Sequence, residues 1–182
     1  MRDTILSIPT LKAFWRSHPL TEAEAELLSA LFEAHHESSF RDNASSQAVR
    51  LAMAGSGSYV NGIGAALLTL GGNHAPLEQT FRIIENPNGA LREFIAEGGK
   101  VPGWGNSFVR GGHDPVWDSV RALLADGWPD VAQNIESITV ALHEAGKNVY
   151  PNPSCYTAAT AIILEMPPML APYLFVSARL AA

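Results

Sequence analysis

The 182-residue sequence predicts an all-α fold. Three observations carry that prediction. Apolar residues recur at three- and four-residue intervals in one segment after another. Residues that start helices (Thr, Asp, Pro) precede those segments, and Gly or Pro follows them. No segment alternates apolar and polar residues over the length of a strand.

Taken in order, residues 1–20 hold no long period and are bracketed by Pro9 and Pro19; they read as an arm or short helix packed by Leu11, Phe14 and Trp15. Thr21 opens a helix, with Glu24 three residues on completing a capping box. Leu27, Leu28, Leu31 and Phe32 form its apolar face, and its run to about Phe40 delivers His35, His36 and Glu37 near the end. Residues 44–71 are rich in Ala, Gly, Ser and Leu and read as interior helix, interrupted near Gly55–Gly57 and resumed with Tyr59, Val60, Ile63, Leu67 and Leu68. Leu77, Phe81 and Ile84 mark another helix, followed by a turn at Asn86–Gly89 and a short helix closed by Gly98 and Gly99.

The segment KVPGWGNSFVRGGH (100–113) interleaves glycines with Trp104 and Phe108, which predicts a structured loop with both aromatics in its core. Asp114-Pro115 is an N-cap followed by proline at the first helical position, and Gly127 ends that helix. Pro129 starts the next, with the stripe Val131, Ile135, Ile138, Leu142, stopped by Gly146. After NVYPNP, Ser154 or Thr157 begins an apolar helix that Pro167-Pro168 stops, and a last helix runs from about Met169. These last two are apolar nearly all round, which predicts a partner surface.

Composition narrows the function. A chain with 47% hydrophobic and 16% charged residues and a mean hydropathy of +0.05 is folded. A chain this short has proportionally more surface to cover, so its apolar excess predicts an oligomer, a homodimer through apolar helices. The net charge of −6, with no basic run, argues against nucleic acid and anionic membranes as partners. Cys155 is the single cysteine, which excludes an internal disulfide framework and fits a reducing compartment. Asp3, Pro9 and Lys12 break the amino-terminal segment before it can form the apolar core of a signal peptide. No apolar stretch approaches the ~18–20 residues that span a bilayer. The expectation is a cytoplasmic protein.

Several chemistries fail on the residues themselves. GSGSYVNGIG follows no strand and no Gly-Lys-Ser/Thr exists, so neither a dinucleotide turn nor a phosphate loop is supported. His35, His36 and Glu37 are adjacent on a helix and point roughly 100° apart, so they cannot converge on a metal without distant partners. Cys155 has uncharged neighbours, the setting of an inert core thiol. What remains is three loops with polar groups at helix junctions: Gly-Gly-Asn-His74, Pro-Gly-Trp-Gly-Asn106 and Tyr-Pro-Asn-Pro-Ser154.

Those loops, with Arg110 and Arg179, resemble the carboxyl-terminal half of the citrate synthase family over residues 30–182. FEAHHESSF is similar to the family's LHADHE. SGSYVNGIGAALLTLGGNHAPLEQTFRII resembles the helix leading into Gly-Pro-x-His-Gly-Gly-Ala-Asn. VPGWGNSFVR resembles VPGYGHxVLR, HDPV the following DPR, YPNPSCYTAA the segment YPNVDFYSG, and LFVSARLAA the segment FAVSRxxG. The resemblance implies a multi-helical fold, with residues 1–73 and 152–182 as a larger part carrying the dimer face and 74–151 as a smaller lobe. It implies an acyl-CoA and a polycarboxylate such as oxaloacetate as ligands, condensation or citryl-CoA cleavage as the reaction, no bound cofactor and no metal. His74 matches the family's enolate donor, His36 and Arg179 match dicarboxylate-binding positions, and Arg110 matches a position that meets the coenzyme's phosphates.

Departures from the family pattern fall on the chemistry. Asn106 stands at the keto-polarising histidine and Ser154 at the aspartate base. An amide still donates to a carbonyl, but a hydroxyl with no base beside it does not take a carbon-bound proton as a carboxylate does. Val116 replaces the arginine of DPR, Ala75, Pro76 and Leu77 replace glycines, and one extra residue lies between Asn106 and Asp114. The family's long amino-terminal portion has no counterpart here, nor has an arginine that follows Arg179. Each matched residue also has an ordinary role open to it. His36 and His74 can bond loop backbone, Arg179 can complement a helix dipole, and Asn106 and Ser154 can serve as turn and N-cap. Two expectations therefore stand: a divergent acyl-CoA condensing or citryl-CoA cleaving enzyme, and a catalytically degenerate relative with a ligand-binding or assembly role.

Overall fold

The computed structural model describes residues 16, 19–39, 44–70, 75–87, 91, 94–95, 98–106, 108–109 and 112–180. The arm packed by Leu11, Phe14 and Trp15 lies outside these residues, as do the predicted site residues His74 and Arg110. Eight α-helices and no strand are present among the described residues, so the all-α expectation holds.

Helix α1 (Glu22–Ser39) opens on the predicted capping box. The Thr21 N–H donates to Glu24 Oε2 at 2.7 Å and the Glu24 N–H to Thr21 Oγ1 at 3.3 Å. Arg16 adds an ion pair to Glu24 Oε1 at 2.8 Å. Burial alone would raise the Glu24 carboxyl; the bonds from Arg16 and Thr21 outweigh it and hold the group below its ordinary value. Leu27, Leu31 and His35 form the buried side of α1.

Helices α2 (Ala44–Ser56) and α3 (Tyr59–Leu68) pack on one another, with Ser58 capping α3 through the Asn61 N–H. Gly62 sets their approach, since a Cβ there would lie 2.9 Å from Met53 Cγ. The pair is not interior, contrary to the reading of its composition. Leu51, Val60 and Leu68 are 74%, 73% and 89% exposed, because the small residues face the partner helix and the large apolar ones face outward.

Helix α4 (Leu77–Glu85) buries Leu77, Phe81 and Ile84, and Asn134, in the helix that begins at Pro129, donates to its Ile84 carbonyl at 3.1 Å. Helix α5 (Asp118–Gly127) follows a 3₁₀ turn at Pro115–Trp117 that Asp114 caps, accepting from the Val116 N–H at 3.3 Å. Helix α6 runs Pro129–Glu144, α7 Pro153–Ile163 and, after a 3₁₀ turn at Pro168–Leu170, α8 Ala171–Leu180.

Helix α7 is the centre of the molecule, packed by α1, α4 and α8, and every residue from Ser154 to Ala161 is buried. That overturns the partner-surface reading of this helix: its apolar perimeter is spent inside the chain. Thr157 and Thr160 fit there because their hydroxyls donate back to the Pro153 and Tyr156 carbonyls, at 2.8 and 2.9 Å. Most of α8 is buried as well, with Leu174, Phe175, Val176 and Ala178 inside and Tyr173 outside.

Candidate ligand-binding cleft

Two of the three polar loops are joined to each other by backbone hydrogen bonds. The Gly105 N–H donates to the Tyr150 carbonyl at 2.8 Å and the Asn152 N–H to the Gly103 carbonyl at 2.9 Å, with Trp104 opposite Pro151. Asn152 does more than close this ladder. Its Nδ2 donates to the Gly105 carbonyl at 2.9 Å, while its Oδ1 accepts from the Ser154 and Cys155 N–H groups at 2.9 and 3.4 Å. One side chain thus fixes the loop and caps α7 at the same time. The helix therefore begins at Pro153, and Ser154 is a first-turn residue rather than the cap. The Asn-Pro pair at 152–153 carries the same start signal as Asp114-Pro115, and reading it would have found the cap.

Trp104 is buried, with its indole N–H donating to Thr139 Oγ1 at 2.9 Å, as expected of loop core. Phe108 is not: it is 49% exposed and lies against the cleft. Gly103 has φ +86°, and a Cβ there would overlap Thr80 Cγ2 on α4, so the loop approaches α4 in a way only glycine allows.

Between these loops, α8 and the start of α2 lies a cavity of about 1110 Å³. Asn106, Ser154 and Arg179 share its wall with Lys100, Lys147 and Phe175. Three of the site residues predicted from sequence are thus brought together. His36 is half-buried on α1 and is not among the residues lining this cavity; His74 and Arg110 lie outside the described residues. Arg179 is held by α2, donating through Nη1 to Ser45 and Ser46 Oγ at 3.2 and 3.3 Å, and its guanidinium lies 4.6 Å from the Phe175 ring centroid. Burial lowers its pKa to about 10, which leaves it cationic at neutral pH. Lys147 Nζ donates to the Gly99 carbonyl at 2.8 Å, which pins the opposite rim.

Behind Arg179 sits His35. It is fully buried, edge-on to Trp117 and Phe175 at 5.0 and 4.9 Å. The Thr157 hydroxyl hydrogen is committed to Pro153, so Thr157 Oγ1 accepts from His35 Nε2 at 2.8 Å. Burial foremost, and the Arg179 charge second, push its pKa well below the ordinary imidazole value, so His35 is neutral. Its place in the stripe Leu28, Leu31, His35 was the legible signal of burial.

Cys155 is fully buried in α7 and burial raises its thiol pKa. The thiolate is the reactive form, so we expect no reaction with an aqueous thiol reagent at neutral pH until the chain unfolds, and one equivalent in denaturant. Rapid native labelling would contradict this burial.

A family model described as the citrate synthase C-terminal domain matches residues 9–182. The chain belongs to the citrate synthase family. Among solved structures, it is similar to citryl-CoA lyase from Hydrogenobacter thermophilus, with TM-score 0.74 and 20% identity over 90% of this chain and 68% of that one. It is also similar to citrate synthase from Thermotoga maritima, with TM-score 0.69 and 26% identity over 93% of this chain and 48% of that one. The chain therefore spans about two thirds of the first and about half of the second. No curated protein sequence matches it. No helix of this citrate synthase relative, among the described residues, is long and apolar enough to cross a membrane.

Proposed function

We propose that the cleft binds an anionic ligand of the citrate synthase type, a polycarboxylate or an acyl-CoA, and that the chain is a binding relative in which the usual condensation is lost. The observation that carries this reading is the charge of the wall. Lys100, Lys147 and Arg179 are cations, and the described residues lining the cavity include no carboxylate. Arg179, stacked on Phe175 and bonded to two serines, is preorganised to meet a carboxylate. Asn106 supplies an amide donor for a keto oxygen. Ser154, at the position matching the family's aspartate base, offers a hydroxyl that does not remove the α-proton of a thioester. Residues 1–73 and 152–182 form the larger part in this reading and 74–151 the smaller, with the exposed apolar residues of α2 and α3 as a homodimer face.

The alternative is an active condensing or citryl-CoA cleaving enzyme, and the likeness to a citryl-CoA lyase fold favours it. One experiment separates the two: thermal stabilisation by oxaloacetate and by acetyl-CoA, measured beside free-thiol release from acetyl-CoA with and without oxaloacetate. Cys155 contributes at most one equivalent of background. Stabilisation without oxaloacetate-dependent release is the expected result. Dependent release establishes turnover, and no stabilisation by either ligand removes the binding reading.

A further inference from the structure

The side chain behind Asn106 decides what that residue can recognise. Asn106 Oδ1 accepts from the Phe108 N–H at 2.9 Å, and Asn106 Nδ2 donates to Asp114 Oδ2 at 3.3 Å. The other carboxylate oxygen, Asp114 Oδ1, accepts from the Val116 N–H, and the residue is 3% exposed. Asp114 is therefore held by the turn it caps, and it presents an acceptor to the amide from a fixed place. An ionised carboxylate only accepts, and a backbone N–H only donates. Turning the amide over would put its oxygen against Asp114 and its NH₂ against the Phe108 N–H, leaving two like pairs face to face. The amide has one orientation.

Among the described residues one Nδ2 hydrogen is used by Asp114 and the second has no protein acceptor. Because Asn106 lines the main cavity and also a smaller one of about 220 Å³ beside Asp114, that hydrogen is the group it has to offer a ligand. We propose that Asp114 is the positioning residue of the cleft, locking Asn106 as an obligate donor so that the cleft selects a ligand with a carbonyl oxygen at this point. Its negative charge lies directly behind the donor. That selection rests on the anion-binding reading for its ligand, but the locked amide itself is testable without one.

The test uses Asp114→Asn, which keeps an equally good N-cap, beside Asp114→Ala and Asn106→Ala. In the ¹⁵N spectrum of the ligand-free protein, the Asn106 side-chain pair is identified by its loss in Asn106→Ala. The parent is expected to show one slowly exchanging, hydrogen-bonded Nδ2 proton, lost in both Asp114 variants while the melting temperature of Asp114→Asn stays with the parent. An unchanged Asn106 pair in Asp114→Asn overturns the proposal, whatever the protein binds. With oxaloacetate as probe, Asp114→Asn should weaken binding several-fold, approaching the loss in Asn106→Ala, and the double variant should bind no worse than Asn106→Ala alone. Additive losses overturn the coupling. A parent that fails to bind oxaloacetate while its amide proton is locked removes the ligand reading and the carbonyl selectivity, and leaves the positioning role of Asp114 standing.

Discussion

Gly103→Ala is expected to lower the melting temperature by about 5–15 °C. Two costs add at this position. A φ of +86° places an L-residue in the left-handed region, at about 1–2 kcal/mol. The new methyl also overlaps Thr80 Cγ2 on α4, and overpacking of this kind costs about 1–3 kcal/mol. The two are separable. Thr80→Ser removes the overlapping methyl but keeps the hydroxyl, which donates to the Pro76 carbonyl at 2.8 Å. Gly103→Ala/Thr80→Ser should therefore regain the packing share and none of the backbone share. Because the Asn152 N–H bonds to the Gly103 carbonyl, the displacement reaches the ladder that carries Asn106 and the cap of α7, so ligand-induced stabilisation should shrink too. A Gly103→Ala chain melting within about 1 °C of the parent would contradict the account.

Acid should destabilise the protein through His35 before it does so through any carboxylate identified above. Folding lowers the pKa of this imidazole, so the unfolded chain takes up a proton that the folded chain refuses. The stabilisation is fully present above the unfolded value of about 6.5 and is lost as pH falls below it, by up to about 1.4 kcal/mol per pH unit. The cause is burial foremost, in a cage of Trp117, Phe175 and Thr157, and the charge of Arg179 second. Glu24 acts in the same direction but at lower pH, since its lowered carboxyl pKa gives stability that is lost only below the ordinary value of 4.5. Denaturant unfolding at pH 7, 6 and 5 measures the slope. His35→Gln keeps a donor for Thr157 and does not titrate, so it should be weaker at pH 7 and much flatter toward pH 5. Equal slopes in parent and variant would assign the acid sensitivity elsewhere.

Helix starts were the most legible feature of the sequence. Thr21 with Glu24 and Asp114 with Pro115 function as read, because a cap bonds N–H groups two or three residues away and the whole motif lies in a few letters. Asn152-Pro153 carries the same signal, and Asn152 rather than Ser154 is the cap. Asn106, Ser154 and Arg179 were legible only by resemblance, since no local pattern says that these three share one cavity. The small-residue composition of α2 and α3 suggests burial, but small residues report close approach to one neighbour and say nothing about the opposite face.

What the sequence by itself determined is the all-α class, the order and approximate limits of most helices, and the family. Each follows from the 3.6-residue period, from caps and breakers, or from motifs a few residues long. Tertiary structure alone decided that α7 is buried from Ser154 to Ala161, that His35 is neutral, that Asn152 joins the two loops, and that Asp114 is bonded to the Asn106 amide. The deciding contacts join residues 47, 122 and 134 positions apart, in the pairs Asn152 with Gly105, His35 with Thr157, and Arg179 with Ser45. Periodicity shows that a face is apolar, but which face meets which depends on the packing of the whole chain against α7, and the burial that sets the charge state of His35 exists only once that packing is complete.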